Sequence, residues 1–144
     1  MIGTQQHPAV IEARSWLGTP FALHQRVKGV HGGVDCVGLI EAVGGTLGTM
    51  EPARRDYSLW DNDLVAQMDV RMDRTDEALA GDVMAFHCEG SISPRHLAIR
   101  TPHGILHTYE LVGRVVEHGL SRGWTSRIAG AWRSEEHTSE LQSR

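Results

Sequence analysis

The sequence predicts an α+β domain, with helices in the first half and a meander of antiparallel strands in the second. Three observations predict it. Up to Val70 the apolar residues recur at helical spacing. From Gly81 the period changes to short runs rich in Val, Ile, Leu and Phe, separated by turn residues. The chain has 144 residues, is 40% hydrophobic and contains no internal repeat, which suits one domain with its own core.

The elements follow in order. His7 to Leu17 reads as a first helix, with Pro8 at the first helical position and Val10, Ile11, Ala13, Trp16 and Leu17 on one face. Gly18-Thr19-Pro20 ends it, and Phe21 to Gly33 is a glycine-containing loop. Asp35 to about Val43 is a second helix, with Asp35 as N-cap and Gly44-Gly45 as its close. Gly38 inside it costs about 1 kcal/mol relative to Ala, which is better explained by close packing against a neighbour. Met50 to Ser58 is irregular, Leu59 to about Val70 is helical, and Arg71 to Ala80 is a charged connection. Strands are expected at Asp82–His87, Arg95–Arg100, Gly104–Tyr109, Arg114–His118 and Ile128–Trp132, about five in all. Pro102-His103-Gly104 and Val112-Gly113 supply turns.

Composition removes several functions. Net charge is −4 and no basic stripe exists, so nucleic-acid binding has no electrostatic support. No run of about 18 apolar residues would span a membrane. Met1 to Gln6 is polar and lacks a secretory pattern, which predicts synthesis as a cytoplasmic product. The two cysteines, Cys36 and Cys88, are too few for a disulfide scaffold and lack metal-knuckle spacing. Residues 134–144 resemble a translated sequencing-library adapter, which leaves residues 1–133 as the domain and Arg133 at the boundary.

Chemistry centres on Cys36. Gly32-Gly33-Val34-Asp35-Cys36 places a thiol at the first turn of a helix, where free N–H groups and the macrodipole favour thiolate. A buried, inert cysteine is the plainer alternative. A thiol nucleophile needs a base and a group to orient that base. His96 opens one apolar run and His107 closes the next, so a hairpin brings them to one end of the sheet. Convergence of that end on Cys36 would complete the set. Zinc held by Cys36, His96 and His107 is the rival reading, weakened by the absence of i, i+3 or i, i+4 ligand pairs. His87, His103, His118 and Cys88 read as structural or solvated, and His24 and His31 as cleft-lining or exposed.

Five blocks in register resemble NlpC-type cell-wall peptidases, the NlpC and p-sixty superfamily. They are Ala13 to Phe21, Val34 to Ile40, Gly81 to Met84, His96 to Ile99 and Leu106 to Glu110. His24-Gln25, Lys28-Gly29 and Ala131-Trp132-Arg133 are similar to the branch of phage tails and gene transfer agents. The resemblance implies a papain-like fold and a Cys-His-His triad of Cys36 as nucleophile, His96 as base and His107 as orienting residue. It implies hydrolysis of peptidoglycan stem peptides, commonly between D-glutamate and a diamino acid, without a cofactor. Phage-like tail proteins are the implied partners, and the cell wall is the implied place of action. Substrate contacts are expected near Phe21, His24, Gln25, Asp35 and Val37. Many members carry Tyr at the position of Phe21 and Ser at that of Val37. A thiol amidase or acyltransferase with another substrate, and a non-catalytic wall-binding tail component, are the alternative functions.

Overall fold

The computed structural model describes residues 7–49, 64–88 and 94–134. Among these, helices α1 (Pro8–Arg14), α2 (Cys36–Leu47) and α3 (Leu64–Arg71) and a one-turn helix α4 (Arg122–Thr125) accompany eight strands. A two-residue pair, β1 (Arg26–Val27) and β2 (Gly33–Val34), closes the loop before α2. The main sheet holds β3 (Asp73–Arg74), β4 (Val83–His87), β5 (Pro94–Arg100), β6 (Ile105–His107), β7 (Val116–His118) and β8 (Ile128–Arg133). All its pairs are antiparallel and its order is β3-β8-β4-β5-β6-β7. The α+β class therefore stands, with six strands in the main sheet. Only β4 to β7 form a meander, and β8 returns to lie between β3 and β4.

Local chemistry explains the helix boundaries. Pro8 opens α1, and the His7 ring accepts from the Ala9 N–H at 3.0 Å. The buried face is Ala9, Val10, Ala13 and Trp16, whereas Ile11 and Leu17 point to solvent, unlike the face expected from sequence. Asp35 caps α2 as expected, its carboxylate accepting from the Gly38 N–H at 2.7 Å. The helix runs through Gly44 and Gly45 and stops at Gly48, whose φ of +71° provides the left-handed C-cap. A mid-helix glycine lowers helix stability without ending the hydrogen-bond ladder. Gly38 has the anticipated packing role, since a Cβ there would collide with the Gln25 carbonyl oxygen. The third helix is described from Leu64 onward, so the expectations for 50–63 lie outside the described residues. The connection after it contains β3, which the charged sequence did not suggest.

The sheet has two unlike faces. Val83, Ala85, Leu97, Ile99, Leu106 and Trp132 join the apolar sides of α1, α2 and α3 in the larger core. Met84, Phe86, Ala98, Ile105 and Ala131 form a smaller cluster on the other face, under Leu120 and Trp124. Ion pairs fasten the edges. Arg14 grips Glu117 with two bonds of 2.7 and 2.8 Å, tying α1 to β7. Arg133 bonds buried Asp82 in the same bidentate manner, which places Arg133 firmly within β8. Ser134 is also buried, while the rest of the adapter-like segment lies outside the described residues.

Candidate active site

Cys36 is the first residue of α2 and is half-buried. Its thiol lies against the backbone of Leu97 in β5 and of Val37. The helix N-terminus thus meets the sheet one residue away from His96. Asp35 holds this junction from the other side. One carboxylate oxygen caps Gly38, and the other accepts from the His24 N–H at 2.8 Å. His24 has a φ of +60°, a left-handed conformation that histidine tolerates better than most residues. The loop carrying His24 and Gln25 is therefore pinned to the start of α2. Buried Glu41, six residues after Asp35 in the chain, pairs with Arg26 at 3.3 Å and pins the loop again.

His96 and His107 meet as the hairpin predicts. The register pairs Ile99 with Leu106, so the two imidazoles lie diagonally across β5 and β6. His96 Nε2 is 2.6 Å from His107 Nδ1. The contact continues beyond the pair, since His107 Nε2 is 2.7 Å from His118 Nε2 on β7. His118 Nδ1 donates to the Gly119 carbonyl at 2.9 Å. Three rings thus form a row across three strands, and its third member, His118, is one that the sequence suggests is structural or solvated. Its signal was the equal spacing, since successive members are 11 residues apart.

Aromatic rings cover the row. Trp124, on α4, lies 5.8, 4.9 and 5.6 Å from the centroids of His96, His107 and His118. Tyr109 stacks on His107 at 5.1 Å. The Arg127 guanidinium sits over the outer face of Trp124 at 4.5 Å. Ser121, a favoured N-cap type, starts α4 and was the available sequence signal for it.

Burial sets the electrostatics. It pushes His96 down to about 4, with help from the Arg127 cation and His118. It pushes His107 down to about 2, with His96 and His118 adding to the effect. Both rings are neutral near pH 7. Burial also pushes the Cys36 thiol up to about 11, against the backbone hydrogen bonds that favour thiolate. The thiolate expected from the helix N-terminus is thereby reversed in the free protein, because desolvation outweighs the local dipoles. No hydrogen bond joins Cys36 to His96 among the described residues. Catalytic contacts of this kind often tighten only when substrate binds.

The remaining sequence candidates occupy several positions. Phe21 is half-buried and bridges to Val34, with its N–H on the Gly113 carbonyl. His24 and Gln25 are exposed on the pinned loop. Val37 lies in the larger core, and both Asp35 oxygens are committed to backbone. Among the described residues no group of three or more His, Cys, Asp or Glu side chains could hold a metal ion. The ring nitrogens of the histidine row face one another instead.

No protein-family model matches the sequence, and no curated protein does. Solved structures do match the fold. An NlpC/P60 family protein from Bacillus cereus superimposes with a TM-score of 0.67 at 23% identity, over 88% of this chain and 39% of that one. The NlpC/p60 domain of the peptidoglycan hydrolase SagA gives 0.58 at 19% identity, over 88% of this chain and 96% of the other. A Staphylococcus aureus protein described as similar to lipoprotein, of the NLP/P60 family, gives 0.58 at 22%, over 88% and 40%. This chain spans about two-fifths of the first and third and nearly all of the SagA domain. The fold is therefore the mixed α+β, papain-like arrangement of NlpC/P60 proteins.

Proposed function

We propose that the chain is a cysteine peptidase that hydrolyses amide bonds of peptidoglycan stem peptides. One observation carries the reading. In an NlpC/P60-like fold, a helix-N-terminal thiol rests on β5 beside a buried histidine pair. The five sequence blocks around these residues support the same assignment. SagA, a peptidoglycan hydrolase by description, supplies the substrate class by analogy of fold.

The chemistry follows from the proposed roles. Cys36 Sγ attacks the amide carbonyl carbon while its proton passes to His96 Nδ1. The carbonyl electron pair moves to oxygen, which first-turn N–H groups of α2 stabilise. The intermediate collapses, the C–N bond breaks, and His96 protonates the leaving amine. Water then attacks the thioester, gives a proton to His96, and releases a carboxylic acid as the thiol is restored. His107 orients His96 throughout. Because the resting pair is neutral, proton transfer accompanies attack instead of preceding it.

The bond between D-glutamate and a diamino acid is the proposed target. A phage-like or gene-transfer-agent tail is the proposed setting, with tail proteins as partners and action at the wall. The test is digestion of purified peptidoglycan with mass analysis of released muropeptides. Cys36→Ala should abolish release while the fold persists, and His96→Ala should cost more than His107→Asn. Undiminished release by Cys36→Ala would remove the nucleophile. Turnover of other thioester-forming substrates alone would replace the peptidase by an amidase or acyltransferase.

A further inference from the structure

We propose that His118 is a positioning residue that fixes the ring protons of His107 and His96 through a one-way row of hydrogen bonds ending on the Gly119 carbonyl. The catalytic consequence rests on the peptidase reading above, whereas the proton positions do not.

The direction follows from donor and acceptor chemistry. A carbonyl only accepts, so His118 must carry a proton on Nδ1 to bond Gly119 at 2.9 Å. In the neutral ring Nε2 is then the acceptor. His107 Nε2, 2.7 Å away, must therefore be the donor. That leaves His107 Nδ1 as acceptor, and His96 Nε2, 2.6 Å away, as the next donor. His96 is left with a lone pair on Nδ1, the nitrogen available to take the Cys36 proton. Nδ1 of His96 has no hydrogen-bond partner among the described residues. One carbonyl at the edge of the sheet thus selects the tautomer of the base two strands away.

The anchor is itself held in place. A Cβ at Gly104 would collide with the His118 carbonyl and with the Gly119 Cα, so the β5–β6 turn packs directly on this corner. Thr101 Oγ1 accepts from the Gly104 N–H at 2.9 Å and keeps the turn there. Trp124 covers all three rings, which excludes water as a substitute acceptor for buried His107. Without His118 the His107 ring gains by reversing its proton to Nδ1 and donating to His96. The His96 proton then moves to Nδ1, where it blocks the thiol.

Histidine ¹⁵N spectra near neutral pH test this on the intact chain. Wild type should show His118 protonated on Nδ1, and His107 and His96 protonated on Nε2. His118→Leu should move the His107 and His96 protons to Nδ1. It should also lower kcat on peptidoglycan by about 10- to 100-fold with KM unchanged, less than the roughly 10⁴-fold cost of a wrong tautomer in a Ser-His-Asp triad. His118→Gln, whose Oε1 can accept from His107, should restore both the tautomers and kcat to within about tenfold of wild type. Unchanged tautomers in His118→Leu would overturn the proposal. If that variant does not fold, the wild-type spectrum decides, and a His96 protonated on Nδ1 overturns it. Wild-type protein inert toward peptidoglycan would remove the peptidase reading, while the tautomer spectra would still decide the role of His118.

Discussion

The two faces of the main sheet use burial for different ends. On the helix side Leu97, Ile99, Leu106 and Trp132 are packed among apolar neighbours, so burial there contributes stability. On the other side the same strands bury His96 and His107 beneath Trp124, where burial holds imidazoles neutral and closes their hydrogen bonds to water. Residues one position apart on β5 therefore answer to different physics. A change at Leu97 acts on the folding equilibrium, and a change at His96 acts on protonation.

Trp132→Ala should have the largest effect on stability. The ring is fully buried, its Nε1 donates to Asp69 at 2.9 Å, and Arg74 lies over its face. Chemical denaturation should show a loss of about 3–5 kcal/mol. A loss below about 1 kcal/mol, outside the usual range for a buried Trp, would break the contrast between the faces.

Acid should distinguish the histidine face. His96 and His107 titrate near 4 and 2 in the folded chain, against 6.5 for free imidazole. Between pH 6.5 and 4 the unfolded chain binds more protons at these rings, so stability rises with pH across that window. It is complete above 6.5, declines as pH falls toward 4, and goes on declining toward 2 through His107. Tm measured through the window should follow this slope. Trp124→Ala admits water to the rings and should flatten it. An equal slope in both proteins would mean that Trp124 does not set the burial.

The smallest effect concerns Cys36, where stability near neutrality should not change at all. With the thiol pushed up to about 11, alkylation by iodoacetamide in the free protein should keep accelerating with pH well above neutrality. A plateau already reached near pH 7 would show that a thiolate–imidazolium pair forms without substrate. That result would sharpen the contrast by placing the charged pair at the boundary between the two faces.

Legibility followed periodicity. The start of α2, its Asp35 cap, the packing role of Gly38 and the His96–His107 hairpin all leave local patterns that a sequence carries. Elements of two residues, such as β1, β2 and β3, have no period to detect. Gly44-Gly45 resembles a helix stop, yet the backbone ladder tolerates both and ends at Gly48. The insertion of β8 beside β4 is a long-range pairing, settled by Trp132 and by the Arg133–Asp82 bond and not by any neighbouring residue. His118 closes a short, half-buried strand whose residues do not show which of them faces the other histidines, and only the second equal interval marks it. The raised thiol was illegible because burial is a property of the whole fold, while the helix N-terminus is local.

The position of β8 also orders events in time. The chain emerges from the ribosome N-terminus first, and β4 to β7 can pair as soon as they are made. The other edge of β4 stays open until Ile128–Arg133 arrives, because β3 reaches the sheet only through β8. Throughout that interval Asp82 has no guanidinium and the row of free N–H and C=O groups on β4 is available to any other strand. The nascent domain therefore carries His96, His107 and His118 before it carries this seal, and β8, the last of the described strands, is the one that covers the open edge of β4.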